Sequence, residues 1–85
     1  MIKTHDVVVG ARSQLEVLTG LMADNVSDLS HDEDGWRLVV NMVELKRIPA
    51  TMDVLAAFEV VLDERGNVMS YHRARRYLRD QITEE

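Results

Sequence analysis

The apolar residues Val8, Ala11, Leu15, Leu18 and Met22 recur at spacings of 3, 4, 3 and 4. That spacing places them on one stripe of a helix, since an α-helix turns once in about 3.6 residues. The stripe predicts a helix over about residues 6–20 with one side against a core. Thr4 or Asp6 stands where a side-chain oxygen can accept the free N–H groups of the first turn. Gly20 is placed to end the helix, because glycine takes the left-handed conformation cheaply. The β-branched run Val7-Val8-Val9 weakens the first turn.

The period then changes to two. Val26 and Leu29 fit a short strand over about 25–30, and Asp32-Glu33-Asp34-Gly35 reads as a turn by composition. From Trp36, one face collects Trp36, Leu38, Val40 and Met42, and the other collects Arg37, Val39, Asn41, Val43 and Leu45. This predicts a strand over about 36–46, followed by a loop in which Pro49 cannot donate to a ladder. Met52 to Leu62 fits a helix through Leu55, Phe58 and Leu62, and a strand face through Val54, Ala56, Phe58, Val60 and Leu62. A strand over about 53–63 is preferred, because Asp63-Glu64-Arg65-Gly66-Asn67 then closes a hairpin onto Val68. A last strand is expected over about 67–78; its alternative is a helix from Arg73 to Ile82 through Ala74 and Leu78.

The order of elements predicts an α+β fold, with the N-terminal helix packed on one face of a 3–4-stranded antiparallel sheet. One helix covers only one sheet face, expected to hold Trp36, Leu38, Val40, Val54, Ala56, Phe58, Val60 and Leu62. The other would carry Val39, Val43, Leu45, Leu55, Ala57 and Val61, with Met69, Tyr71 and Tyr77 beside them. A sheet face left to water normally alternates to polar residues, and this one does so only in part. Association would cover it, as a homodimer or with another protein. The competing arrangement is a C-terminal helix or loop folded back over it.

Composition narrows the function. A chain of 85 residues makes one domain of modest stability. The absence of cysteine excludes disulfides and thiolate metal sites and fits a reducing cytoplasm. No apolar run approaches the ~20 residues of a membrane-spanning helix, and Met1 to Asp6 lack a signal-peptide pattern. A cytoplasmic protein without a membrane partner is expected. The net charge of −5 disfavours nucleic acid, whose phosphates need clustered positive charge. That average hides an acidic zone, Asp24, Asp28, Asp32, Glu33 and Asp34, and a basic one, Arg65, Arg73, Arg75, Arg76 and Arg79. Zones of opposite sign suit internal pairing or ordered association.

Candidate chemistry is sparse. Ser30, Asp32, Asp34 and Gly35 sketch the start of a calcium loop, but Asn41 stands where its bidentate glutamate belongs. His5, His31 and His72 occur in no zinc spacing. The serines have no nucleophile elbow, and the four glycines form no phosphate cradle. No catalytic residue, metal or cofactor is expected, and the protein is read as non-enzymatic. The segment Tyr71, Arg73, Arg75, Arg76, Tyr77 and Arg79 is different. Aromatics and arginines together bind single strands of nucleic acid, dominate protein hot spots, or simply guard an edge strand with charge. These six residues, with Val43 and Leu45 from the open sheet face, are the candidate partner-binding set.

Several pieces carry a family resemblance: Asp34-Gly35-Trp36; Val43-Glu44 with Arg47-Ile48-Pro49; Asp53-Val54-Leu55-Ala56 with Glu59-Val60; and Tyr71, Arg73, Arg75-Arg76-Tyr77 and Arg79. Spread over about half the chain, they resemble the gas vesicle protein O family, GvpO, in its order. The resemblance implies one such domain over residues 1–85, a small non-enzymatic accessory protein of gas vesicle formation. Gas vesicles are gas-filled protein shells that give buoyancy to bacteria and archaea. The implied work is assembly, in the cytoplasm and at the vesicle, through contacts with other accessory or structural vesicle proteins. The alternative is a nucleic-acid-binding regulator of gas vesicle gene expression that uses the C-terminal Arg/Tyr strand. Trp36, Arg47, Pro49, Asp53 and Glu59 are family-pattern positions, as are the six Tyr/Arg residues. Phe58 stands where the pattern has a tyrosine, and His72 and Ala74 replace an arginine and a larger apolar residue. The long charged N-terminal extension common in the family is missing, so a shortened form is expected.

Overall fold

A computed structural model describes residues 3–79. Helix α1 (Thr4–Thr19) leads into strands β1 (Met22–Asp32) and β2 (Gly35–Leu45). A single 3-10 turn (Ala50–Met52) precedes β3 (Val54–Leu62) and β4 (Val68–Leu78). The strands form one antiparallel sheet in the order β1-β2-β3-β4, so β1 and β4 are its edges. This is the expected α+β architecture. Among the described residues no helix is long and apolar enough to cross a membrane.

The helix buries Val7, Ala11 and Leu15, with Val8 partly buried beside them. The stripe is therefore centred one residue earlier than its spacing implied, and Leu18 and Met22 are exposed. Met22 leaves the stripe because Gly20, at φ 76°, turns the chain before it, and Met22 is already the first residue of β1. Neither Thr4 nor Asp6 caps the helix; Thr4 lies inside it, and the Val7 N–H donates to the Lys3 carbonyl at 3.0 Å. The helix flanks are stitched to the strands. Gln14 donates to the Gly66 carbonyl at 2.8 Å and accepts from the Val68 N–H at 2.9 Å, while Glu16 accepts from the Ala23 N–H at 2.9 Å.

The core joins these helix residues to Trp36, Leu38, Val40 and Met42 of β2 and Ala56, Phe58, Val60 and Leu62 of β3. Val54, expected among them, is only half-buried. β1 is longer than its two apolar residues announced, because β2 offers partners from Gly35 to Val43 and β1 pairs along that whole length. Register shifts at Asp24 and Ser27 let the longer strand fit. β4 stays extended to Leu78. This excludes the alternative helix over residues 73–78; its remainder, from residue 80 on, lies outside the described residues.

The back face departs from expectation. Val43, Leu55 and Ala57 are 8%, 0% and 4% exposed, and among the described residues no second helix lies over them. Tyr77 pairs opposite Leu55, and its hydroxyl donates to Asn41 Oδ1 of β2 at 2.7 Å, so its ring crosses the back of β3. Tyr71 lies on the helix side, opposite Val60, because Met69 and Ala74 are extra residues that shift the register of β4. What remains open on the back face is mostly polar.

Gly35 begins β2 at φ 135°, and a Cβ there would sit 2.1 Å from the Leu62 carbonyl oxygen. Gly20 has open space around it. Gly20→Ala should therefore cost about 1–2 kcal/mol of left-handed strain, and Gly35→Ala clearly more, because backbone must move. Trp36→Ala should cost about 3–5 kcal/mol. Urea unfolding of the three variants checks the ranking.

Candidate functional site

Strand β4 is an outer strand whose residues 69–76 are all exposed. Its two register shifts divide the candidate residues between the sheet faces. Tyr71, Arg73 and Arg76 oppose Val60, Phe58 and Ala56 on the helix side; Arg75 and Tyr77 oppose Ala57 and Leu55 on the back.

On the helix side the organising group is Glu44. It occupies the register shift between Val43 and Leu45, and its side chain is 13% exposed. One carboxylate oxygen accepts from Arg73 and the other from Arg76 Nε, both at 2.6 Å. The nearly buried carboxylate thus fixes two guanidinium groups from another strand, leaving a net positive patch. Beside them the Tyr71 ring meets Phe58 at 6.2 Å between centroids and keeps its outer side in water.

On the back, the Arg75 guanidinium lies 5.1 Å from the centre of the Tyr77 ring, a cation–π contact. No carboxylate partners Arg75 among the described residues. The Tyr77 hydroxyl continues through Asn41, whose amide donates to Asn25 Oδ1 at 2.9 Å. Burial pushes the pKa of that hydroxyl up. Arg79 closes the end of the sheet, reaching Asp24 of β1 and Asp53 of the loop before β3, each at 3.2 Å. Its own N–H donates to the Asp53 carbonyl at 2.9 Å. Asp53 is buried; the Arg47 N–H at 2.7 Å, then the Arg79 guanidinium, hold its carboxyl below the ordinary value.

Of the candidate set, Tyr71, Arg73, Arg75 and Arg76 are exposed on the outer strand β4, divided between its faces, and Leu45 is exposed at the end of the inner strand β2. Val43 is buried, and Tyr77 and Arg79 are engaged in the protein's own structure. Sequence reasoning missed Glu44 as the group that sets Arg73 and Arg76. The available signal was that Glu44 is the lone acid in the run Trp36 to Leu45. The acidic turn is occupied by its own hairpin: Asp32 accepts from the Asp34 N–H and from Arg37, which lower its pKa. His31 stacks on Trp36 at 4.1 Å and reaches Glu64 at 3.1 Å; His72 reaches Glu59 at 3.3 Å. Among the described residues no three potential metal ligands converge.

The shifts fix two pH limits. The carboxyl of Asp53 is lowered from 3.8, so its stabilisation is present above that value and lost as pH falls through the folded pKa. Asp32 and Asp63 act in the same sense. Tyr77 is raised from 10.0, so its contribution is present below that value and lost as pH rises through the folded pKa. The urea midpoint should fall on both sides, Asp53→Asn should flatten the acid limb, and Tyr77→Phe should flatten the alkaline one. Loss of the Tyr77 hydrogen bond should itself cost about 1 kcal/mol at neutral pH.

The comparisons with known proteins agree with the sequence resemblance. A family model described as "Gas vesicle synthesis protein GvpO" matches residues 1–83. Gas vesicle protein O of Streptomyces sp. (strain CB03234) is 49% identical over 73 residues, which are 86% of this chain and 57% of that protein. Gas vesicle protein O of Haloferax mediterranei is 42% identical over 52 residues, 61% of this chain and 37% of that one. Gas vesicle protein O1 of Halobacterium salinarum is 39% identical over 54 residues, 64% and 45% of the two chains. This chain thus spans about half the length of the curated relatives it matches. No solved structure matches it. With a family model over nearly its whole length and relatives that agree, the chain belongs to the gas vesicle synthesis protein GvpO family and has a gas vesicle-related role.

Proposed function

We propose that this domain is a non-enzymatic accessory factor of gas vesicle assembly that holds another vesicle protein through β4. In this reading it works in the cytoplasm, at the vesicle. The observation that carries the reading is the run of eight consecutive exposed residues, 69–76, on an outer strand that includes Tyr71 and three arginines. Tyrosine and arginine combine apolar area with directed hydrogen bonds, which is why they recur as binding hot spots. Glu44 restrains Arg73 and Arg76 in advance, so less side-chain freedom is lost when a partner arrives.

The charge favours an acidic partner segment. Two copies joined β4 to β4 would set arginines against arginines, which opposes a homodimer through this edge. For nucleic acid the surface is weak, since Glu44 already neutralises part of the arginine charge and the chain carries −5 overall.

Co-expression with the accessory and structural gas vesicle proteins, followed by affinity capture, tests the reading. Arg75→Glu is the cleanest probe, because no carboxylate among the described residues loses a partner. It should reduce capture at least about tenfold with an unchanged circular dichroism spectrum. Arg73→Gln with Arg76→Gln should weaken capture further. Capture indifferent to all three, or steeply salt-dependent binding to RNA or DNA in its place, would reject the proposal.

A further inference from the structure

The back face of the sheet holds a concavity beside the β4 surface that carries two carboxylates, Asp28 and Glu59. Two rungs of side chains cross all four strands there. Asp28, Val39, Glu59 and His72 are successive cross-strand partners in one rung, and Ser30, Arg37, Val61 and Ser70 in the next. They line an open concavity of about 310 Å3. The following rung, Asn41, Ala57 and Arg75, bounds it on the side where Tyr77 crosses β3.

Within this concavity Val39 stands between two carboxylates. Neighbouring strands lie about 4.8 Å apart, so a group seated over Val39 has Asp28 on one flank and Glu59 on the other. Among the described residues neither carboxylate is paired with a permanent cation. Arg37, which lines the same concavity, pairs with Asp32 at 3.2 Å. Among the described residues Asp28 accepts the N–H of its own neighbour Leu29, at 2.9 Å, and Glu59 is met by His72, which is a cation only when protonated. The floor between them, Val39 and Val61, is half-buried and apolar. A pocket with a greasy floor and facing carboxylates matches a side chain with an aliphatic stem and a cationic head.

We infer that this concavity is a second docking site, and that it takes an arginine or lysine side chain presented by a partner protein between apolar neighbours. The stem packs on Val39 and Val61, and the head lies between Asp28 and Glu59. Ser30 and Ser70 stand at the rim as further hydrogen-bonding groups. A single exposed ion pair contributes little. Two carboxylates converging on one cation over a partly dry floor contribute more and fix its direction. The domain then offers a basic surface at β4 and an acidic pocket on the back, which allows it to join two binding partners of opposite charge.

The probe is an acetylated, amidated tripeptide of leucine, arginine and leucine, compared with the same peptide bearing citrulline, which keeps the shape and loses the charge. In a 15N-labelled sample of the full chain, the arginine peptide should shift the amides of Asp28, Val39, Glu59 and Val61, and the citrulline peptide should not. Asp28→Asn with Glu59→Gln should weaken the arginine peptide at least about tenfold. Each single change should remove part of the affinity, which keeps the test open if the double variant fails to fold. Equal shifts from both peptides, shifts centred on Asp32 to Asp34, or affinity unchanged in the variants would overturn the inference. So would concentration-dependent dimerisation that the double variant abolishes, since it would assign the pocket to a second copy.

Discussion

A four-stranded sheet served by one helix has one face that the helix cannot reach, and the rest of this structure answers that constraint. At one end the answer is internal. Tyr77 lays its ring over Leu55 and ties its hydroxyl to Asn41, while Arg79 spans Asp24 and Asp53. The residues beneath, Leu55 and Ala57, are as dry as those under the helix. At the other end the face is left open and lined with charge, because Asp28, Arg37, Glu59 and His72 tolerate water.

The same constraint explains why the arginines of β4 are not equivalent. Arg79 belongs to the fold, holding the last strand to the loop before β3 and to β1. Arg73 and Arg76 are set by Glu44 and face outward on the helix side. Arg75 rests on Tyr77 and carries no carboxylate of its own among the described residues. A half-buried acid holding two surface arginines gives a rigid, positively charged patch, whereas flexible arginines on a solvated strand would lose more entropy on binding. Charge on both outer strands also discourages indiscriminate strand pairing, and the register shifts in β1 and β4 act in the same direction.

Much of this was legible along the chain. The alternation from Trp36 to Leu45 marked one central strand and its core face, and the turn at Asp63 to Asn67 decided the other, Val54 to Leu62, whose spacing also fitted a helix. Gly20 and the Asp63 to Asn67 turn marked real boundaries. The candidate surface was legible as a cluster of arginine and tyrosine, but its division between the two faces was not. Local pattern assigns Tyr71 and Tyr77 to the same side, and a register shift at Ala74 separates them.

By itself the sequence determined the class of fold, the buried faces of the two central strands, the opposite charge of the two outer ones and the family, since these depend on residue type and near-neighbour spacing. Only the tertiary structure decided the length of β1, the course of Tyr77 across the back face, and the pairing of Glu44 with arginines from a distant strand. Those depend on which strands lie side by side and in what register, and a single inserted residue in a ladder exchanges one face for the other without leaving a mark in the local pattern.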